Sequence, residues 1–593
     1  RDFCLSRGLG DVYKRQVLYN GQAGLIDLDL NQQQKVLSAY GYASTQPDYS
    51  SFLVAGRPKT GQSLDEVRDL LLEEVAKLRE GDFDEKLIEA TINNYKMQLM
   101  RSFEENDSRA ILYVYSFISG ADWADEVARI DRMSKITKQD VVEWANKYLG
   151  PESYAIIYKR EGKDPDEQKI AAPKITPIVT NRDSQSEFLS EIQTSQVQPI
   201  EPVFVDYKKD MSQFEAQPGI DVLYKKNETN DIFTLIYVFN TGTENDPALN
   251  LAFNYLSYLG TDKMTAEEIA SEMYDIACSF YMNAGANQSS IQITGLSENM
   301  GKAMEIVEGL IAGAKPDEAI LENLKGDMLK SRADAKLNQS RCFGALQRYL
   351  FYGGDFIRRT TLTDPALQAL TSEQLLAKIG GLMGKQHEVL YYGPQKETEI
   401  KSALAEHHKV AADLQPLEKK FSALLPTDAN KVVLAQYDAK QLYYLQFSNR
   451  GEKFDVAADP EITLYNEYFG GGMNTIVFQE MREARGLAYS AWATLATPSN
   501  ANGDYSYYAF IATQNDKMQK AVEAFDDIIN NMPESEKAFG IAKEALVSRL
   551  RTERTVKDGV LWSYLRARDL GLDAPRDKQI FEKVQSMTLD DVK

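Results

Sequence analysis

One arrangement of residues occurs three times along this chain, and that repetition limits the possible folds more than any other feature. The triplets Asp48-Tyr49-Ser50, Asn287-Gln288-Ser289 and Asp504-Tyr505-Ser506 each open a short run of strand character, at residues 51–56, 290–295 and 507–513. A polar turn follows each run, then a long helical stretch, then an aromatic cluster. A second marker comes later in every unit: Thr137 to Asp140, Thr371 to Gln374 and Thr588 to Asp591. The first marker recurs after 239 and 217 residues (48 to 287 to 504), the second after 234 and 217 (137 to 371 to 588). Two separate markers with nearly one period mean duplication of a whole domain, not of a short solenoid repeat.

Within the unit the patterns are those of an α+β domain. Ser63 and Glu66 form a capping-box signature, and Val67, Leu71, Val75 and Leu78 behind it share one helical face. Ala303, Ile306 and Leu310 repeat that face in the second unit, and Met518, Val522, Phe525 and Ile529 in the third. Longer helical regions follow at 84–104, 317–336 and 534–554. Then come the aromatics: Tyr113, Tyr115 and Phe117; Tyr349, Phe351 and Tyr352; Trp562 and Tyr564. The Thr markers read as N-caps of a further helix, which in the first two units leads into strands at 154–158 and 388–392. Strands at 220–226 and 232–239 front the second unit, and strands at 432–437 and 442–447 front the third. The predicted fold class is α+β: tandem homologous α/β sandwiches, each an antiparallel sheet with helices on one face.

The ends read as truncations of a longer protein. The first unit has little front, and the third stops at Lys593, five residues after Thr588. Residues 1–16 resemble translated adapter read-through and are set aside as a non-native segment. Residues 161–205, with Pro165, Pro173, Pro177, Pro199 and Pro202, form a linker. A second connector, about 394–430, looks more helical through Leu404 to Lys420.

The net charge of −21 argues against a nucleic-acid partner, because phosphate neutralisation needs clustered Lys and Arg. No run of about 20 apolar residues is present, so no membrane span is expected. Of the cysteines, Cys4 lies in the suspect segment, and Cys278 and Cys342 stand alone, without metal or disulfide spacing.

Histidine narrows the chemistry. Only His387, His407 and His408 occur. A zinc hydrolase needs two His one helical turn apart and a carboxylate. Adjacent residues on a helix diverge by about 100°, so His407 and His408 do not grip one ion, and His387 stands alone before a strand. No metal site is expected in this chain. One segment does look like a ligand site: Gly470, Gly471, Gly472, Met473 and Asn474, then a helix with Ile476, Val477 and Met481 inward. Three glycines let backbone approach another chain closely. Gly486 is placed as a left-handed cap, Arg482 lies in the last turn, and Tyr489 follows on a returning strand. That geometry can aim a guanidinium and a phenol at one point. A surface ion pair and a core-edge tyrosine explain the same spacing.

The stretch from Phe469 to Asn474, with Glu480 to Tyr489, resembles the C-terminal domain motif of the pitrilysin/insulinase family of zinc metallopeptidases. Gly21 to Lys159 is similar to the family's second domain through Gly21-Gln-Ala-Gly24, Asp48-Tyr-Ser50 and Gly56-Arg-Pro-Lys59. The resemblance covers essentially everything after Gln16. It implies LuxS/pitrilysin-like metallopeptidase domains, four in two linked halves, closing around a peptide. By this reading 17–160 is the second domain with its front truncated, 161–205 the inter-half linker and 206–395 the third, degenerate inactive domain. Residues 396–430 are a connector, and 431–593 the fourth, substrate-binding domain with its end truncated.

In the family the first domain carries His-x-x-Glu-His and a distal Glu, which bind zinc and activate water. That domain is absent here, so zinc is expected in a missing N-terminal domain or a separate catalytic subunit. In the second unit the motif positions hold Leu251, Ala252, Phe253, Asn254 and Tyr255, which implies an inactive domain. The family's fourth domain supplies an Arg and a Tyr seven residues apart that contact substrate, matched by Arg482 and Tyr489. The resemblance thus implies part of a bacterial peptidase hydrolysing peptides in a closed chamber, this chain giving wall and clamp. A non-catalytic partner subunit and a peptide-binding scaffold are the alternatives. Some bacterial relatives suggest a cell-envelope site.

Overall fold

The computed structural model describes residues 15–44, 50–152, 154–162, 186–196 and 198–593. Most of the adapter-like segment, Asp48-Tyr49 of the first marker and much of the 161–205 linker lie outside these.

In the first repeat β1 (Ser38–Ser44) and β2 (Ser51–Arg57) pair antiparallel. The helix Leu64–Glu80 starts where the Ser63 hydroxyl accepts the Glu66 N–H at 3.1 Å. It ends at Gly81 with φ +76°, a left-handed cap. Val67, Leu71 and Leu78 are buried, packing with Val17, Leu18, Ile26 and Trp144. Thr137 and Asp140 cap the helix Lys138–Tyr148 reciprocally. The strand expected at 154–158 does not form: the segment is in no ladder among the described residues. Strand character needs a ladder neighbour, and none lies beside this segment among the described residues.

The second repeat is the most complete. It contains β3 (Ser212–Gln217), β4 (Ile220–Lys226), β5 (Ile232–Phe239), β6 (Cys278–Ala284), β7 (Ser289–Leu296) and β8 (His387–Gly393). They form one sheet in the order β3-β4-β8-β5-β7-β6. All neighbours are antiparallel except β4 and β8, which run parallel, so the sheet is mixed. β5 lies between β7 and β8, antiparallel to both. Phe233, Leu235, Tyr237 and Phe239 point to one face, under the helices Leu249–Leu256, Met300–Gly313 and Ser372–Leu382. The alternate residues Ile236 and Val238 point to the other. A strand apolar on both faces is buried on both.

The third repeat has β9 (Gln441–Ser448), β10 (Ser490–Ala496) and β11 (Ser506–Gln514), antiparallel in the order β10-β11-β9. The strand expected at 432–437 is absent, and Val432 and Leu434 are 92% and 84% exposed. The connector is helical over Glu397–His407 only, a correction to the helix expected through Lys420. Beyond it residues run irregularly, held by a bridge between Lys385 and Gln415, by Lys419 on Asp569, and by Leu425 N–H donating to the Phe351 carbonyl at 2.7 Å.

The aromatic clusters are where the repeats meet. In the second repeat they lie on the helix Gln339–Thr360, which packs on the third repeat's sheet. Phe343 meets Tyr443 and Phe510 at 5.4 and 5.9 Å, and Phe351 meets Phe447 and Tyr508 at 4.7 and 5.2 Å. The third repeat returns its helix Gly559–Asp569. Val560, Leu561 and Leu565 cover Leu223, Ile236, Val238 and Leu390 on the second repeat's sheet. Each sheet's second face is thus covered by its neighbour's helix. The matching helix of the first repeat, Asn106–Ser119, leaves Tyr113, Tyr115 and Phe117 exposed at 58%, 64% and 87%.

The first repeat joins the second through its helix Lys86–Phe103. The Asn94 amide donates to the Tyr274 carbonyl at 2.7 Å, and the Gln22 amide to the Cys278 carbonyl at 3.1 Å. Phe351→Ala should remove the central ring of the exchanged interface. We expect a loss of about 3 kcal/mol in denaturant unfolding monitored in the third repeat. A change below about 0.5 kcal/mol would show that the exchange is incidental.

Candidate functional site

The glycine-rich turn lies between two short π-helices, Asn466–Gly470 and Gln479–Ala484. Such widened turns recur at functional sites because they redirect side chains within a helix. The first is fixed to β10: the Asn466 amide donates to the Leu495 carbonyl at 2.9 Å and its oxygen accepts the Leu495 N–H at 2.8 Å. Gly470 is buried against this strand, and a Cβ there would stand 2.7 Å from the Ala493 carbonyl oxygen. That close approach requires glycine. Gly471 and Gly472 are exposed with room for a Cβ, so the expectation that all three glycines serve close approach holds for Gly470 alone. Asn474 is exposed. The Thr475 hydroxyl donates to the Gly472 carbonyl at 2.7 Å and the Gln479 amide to the Met473 carbonyl at 2.6 Å, closing the turn.

The segment behind the turn anchors through Ile476, Val477 and Met481, all buried, as patterned. Gly486 has φ +57°, and Leu487 N–H returns to the Met481 carbonyl at 2.9 Å. The chain is thereby turned onto the sheet: Tyr489 donates its N–H to Ala512 one residue ahead of β10. This brings Arg482 and Tyr489 together, the guanidinium carbon lying 5.2 Å from the Tyr489 ring and 4.9 Å from the Phe478 ring. Phe478 was not singled out from sequence, although its i, i+4 spacing to Arg482 predicts contact on a helix. Among the described residues the only acid near the guanidinium is Glu483, at 3.8 Å, a surface pair of little strength. Tyr489 is 71% exposed, as is Met473. The arrangement is a planar cation over two rings, partly exposed beside an exposed phenol. It can bind a peptide carbonyl or a carboxylate.

The three histidines are arranged differently from expectation. His407 ends its helix and His408 leaves it with ψ 93°, so the two do not share a helical frame. His387 does not stand alone: its Nε2 lies 2.8 Å from His408 Nε2. His387 Nδ1 faces the Lys385 carbonyl at 2.8 Å and so carries a proton. Its Nε2 then accepts from His408 Nε2–H, and His408 Nδ1 meets Glu308 at 2.6 Å. One proton is shared between His408 and Glu308 in a buried chain across three elements. Both rings are committed to this chain, and no group of three or more His, Cys, Asp or Glu placed to hold a metal ion occurs among the described residues. The positions aligned with the zinc motif, in the helix Leu249–Leu256, bury Leu251, Ala252, Phe253 and Tyr255 in the core. These residues do not fit a metal centre. Burial pushes the Cys278 thiol up to about 12, leaving it poorly nucleophilic at neutral pH.

Residues 387–546 match the family described as the peptidase M16 inactive domain. An uncharacterised zinc protease of Streptomyces coelicolor is 23% identical over 266 residues, 42% of this chain and 56% of that protein. An uncharacterised zinc protease of Rickettsia bellii is 22% identical over 312 residues, 50% of this chain and 70% of that protein. The chain thus spans little more than half the length of the first of these relatives. A peptidase M16 inactive domain from Pseudomonas fluorescens shares the fold with a TM-score of 0.52 and 17% identity, over 64% of this chain and 93% of that one. The periplasmic protease PqqL of Escherichia coli does so with a TM-score of 0.52 and 13% identity, over 98% of this chain and 67% of that one. Residues 387–546 therefore match an M16 peptidase domain, and the chain is similar in fold to M16 peptidases, the pitrilysin/insulinase class its sequence resembles. The matched stretch contains both the glycine turn and the Arg482–Tyr489 pair. No helix among the described residues is long and apolar enough to cross a membrane.

Two outcomes follow from this geometry. Gly470→Ala should cost about 1–3 kcal/mol through overpacking against β10, read as a lower unfolding midpoint, whereas Gly471→Ala should be near neutral. Equal effects would contradict the close-approach argument. Burial, with the neighbouring His408, holds His387 down to a pKa of about 4, against 6.5 for a free side chain. The unfolded chain therefore takes up a proton that the folded one resists. This contribution is whole above pH 6.5 and is lost as pH falls toward 4, on the order of 3 kcal/mol across the window. His387→Gln should flatten the stability profile there; an unchanged slope counts against the assignment.

Proposed function

We propose that this chain forms the substrate-holding wall of an M16-type zinc metallopeptidase, working with a zinc-binding domain contributed by further polypeptide or by a separate subunit. Its substrates are peptides of limited size, enclosed in a chamber between two halves of the protein. The chain is inactive alone, and Arg482 and Tyr489 act as a clamp on the peptide backbone. We divide the chain as the sequence suggests, with 206–395 the inactive domain and 431–593 the substrate-binding one.

One observation supports this most: the Arg482 guanidinium lies over both the Phe478 and Tyr489 rings, and its side chain stays partly exposed. A guanidinium fixed by rings loses little freedom when it binds a carbonyl. Placed at the scissile bond, it gains most when the carbonyl oxygen becomes an oxyanion. The glycine turn ahead of it leaves backbone accessible to an extended peptide. The zinc named in the relatives' descriptions supplies the activated water in that family, and this chain's residues bind and orient.

In the complete peptidase, Arg482→Ala should lower kcat/KM for peptides on the order of 100-fold, as for removal of one oxyanion donor. Arg482→Lys should not restore it, because a point charge lacks the planar fork. Turnover unchanged within twofold in the alanine variant would remove Arg482 from the mechanism.

A further inference from the structure

The helix Asn106–Ser119 is turned the wrong way round for a helix that packs only within its own repeat. Its one buried residue is Ser116, whose hydroxyl donates to the Ala121 carbonyl at 3.1 Å. Its apolar residues Ile111, Tyr113, Val114, Tyr115, Phe117 and Ile118 are all exposed. Residues 111, 114, 115 and 118 follow the i, i+3, i+4, i+7 spacing of a continuous helical face. Tyr113 is stacked on Trp123 at 4.2 Å, which braces one flank. An apolar surface of this kind marks a contact site.

The second repeat shows what such a face meets. Its helix Gln339–Thr360 follows the long helix Glu318–Lys336 as Asn106–Ser119 follows Lys86–Phe103. Tyr115, Phe117, Ile118 and Gly120 each stand 234 residues ahead of Tyr349, Phe351, Tyr352 and Gly354, the same offset that separates Thr137 from Thr371. Phe117 is therefore the counterpart of Phe351. Phe351 is seated on a neighbour's sheet, at 4.7 Å from Phe447 and 5.2 Å from Tyr508, whereas Phe117 is 87% exposed. Arg109 stands at the position of Phe343, so the apolar seat is shorter, from Ile111 to Ile118.

We propose that the helix Asn106–Ser119 docks, through Phe117 and the apolar face around it, on the outer sheet face of a further copy of this α+β unit. Both exchanges already present have that form: the second repeat's helix covers β9 and β11, and the third repeat's helix Gly559–Asp569 covers β4, β5 and β8. In a second copy of this chain the outer faces of those sheets are taken by each other's helices. A further unit on additional polypeptide offers a free one, and the relatives matched above extend beyond this chain. Identifying that unit with the zinc-binding domain rests on the proposed function; the docking itself does not.

The test compares this chain alone with the complete protein that carries the further unit. Thiol labelling of Phe117→Cys is read by peptide mapping, with the partly exposed Cys342 as internal reference. We expect labelling on the order of tenfold slower in the complete protein. Phe117→Asp should lower the melting temperature of the complete protein by about 3 °C or more and leave that of the chain alone unchanged. Equal labelling in the two overturns the proposal, as does a melting temperature unchanged in both or lowered in both, the last because Phe117 would then pack within the chain. Protection in the chain alone that fades on dilution assigns the face to a second copy and overturns it as well. Protection of Phe117→Cys in a complete protein that turns over no peptide would end the peptidase reading and leave the docking standing. Turnover with equal labelling would do the reverse.

Discussion

The exchange of helices between the second and third repeats is the interaction on which the rest of the structure depends. A sheet whose strands are apolar on both faces needs cover on both. The second repeat's own helices cover one side of β4, β5 and β8, and Val560, Leu561 and Leu565 of the third repeat cover the other. In return Phe343 and Phe351 cover the outer side of β9 and β11. Polar ties fix the same contact: Arg568 pairs with Glu388, with one branch at 2.8 Å, Tyr207 meets Ser563 at 2.8 Å, and Lys419 reaches Asp569 at 2.6 Å. Neither sheet is complete without the other, so the glycine turn and the Arg482–Tyr489 pair are held at a set position relative to the second repeat.

That dependence also explains which parts of the structure could be read in advance. Features specified by short-range chemistry were legible. The caps at Ser63, Thr137 and Thr371 depend on residues three apart, and β4, β5, β8 and β9 carry dense apolar runs. Segments specified by a distant neighbour were not. Residues 154–158 and 432–437 have strand-like composition, yet form no strand without a ladder partner, because strand preference is largely a statement about surroundings. The aromatic clusters were visible, but local spacing does not say that they cross to another repeat. The parallel pairing of β4 and β8 was equally invisible, since it arises from residues more than 150 positions apart.

The candidate site divides the same way. Its turn, inward helix face and left-handed cap at Gly486 follow from local pattern. The two π-helices, the stacking of Arg482 on Phe478 and the exclusive need for glycine at Gly470 come from packing against β10 and were not visible. The histidines give the opposite lesson. Adjacency on a helix argued only that His407 and His408 do not grip one ion, and His387 was read as standing alone, but the helix ends at His407 and releases His408 toward His387 and Glu308. One residue of helix length decides whether the three elements are joined.

The central claim is that the Arg482–Tyr489 pair holds a peptide backbone in a chain that carries no metal centre among its described residues. The most direct measurement is peptide affinity of this chain alone, by fluorescence anisotropy, for wild type, Arg482→Ala and Tyr489→Phe, each with and without a zinc chelator. The account predicts binding that weakens about tenfold in the alanine variant, the equivalent of about 1.4 kcal/mol, and is indifferent to the chelator. Equal affinity across the three proteins, or binding abolished by chelation, would contradict it.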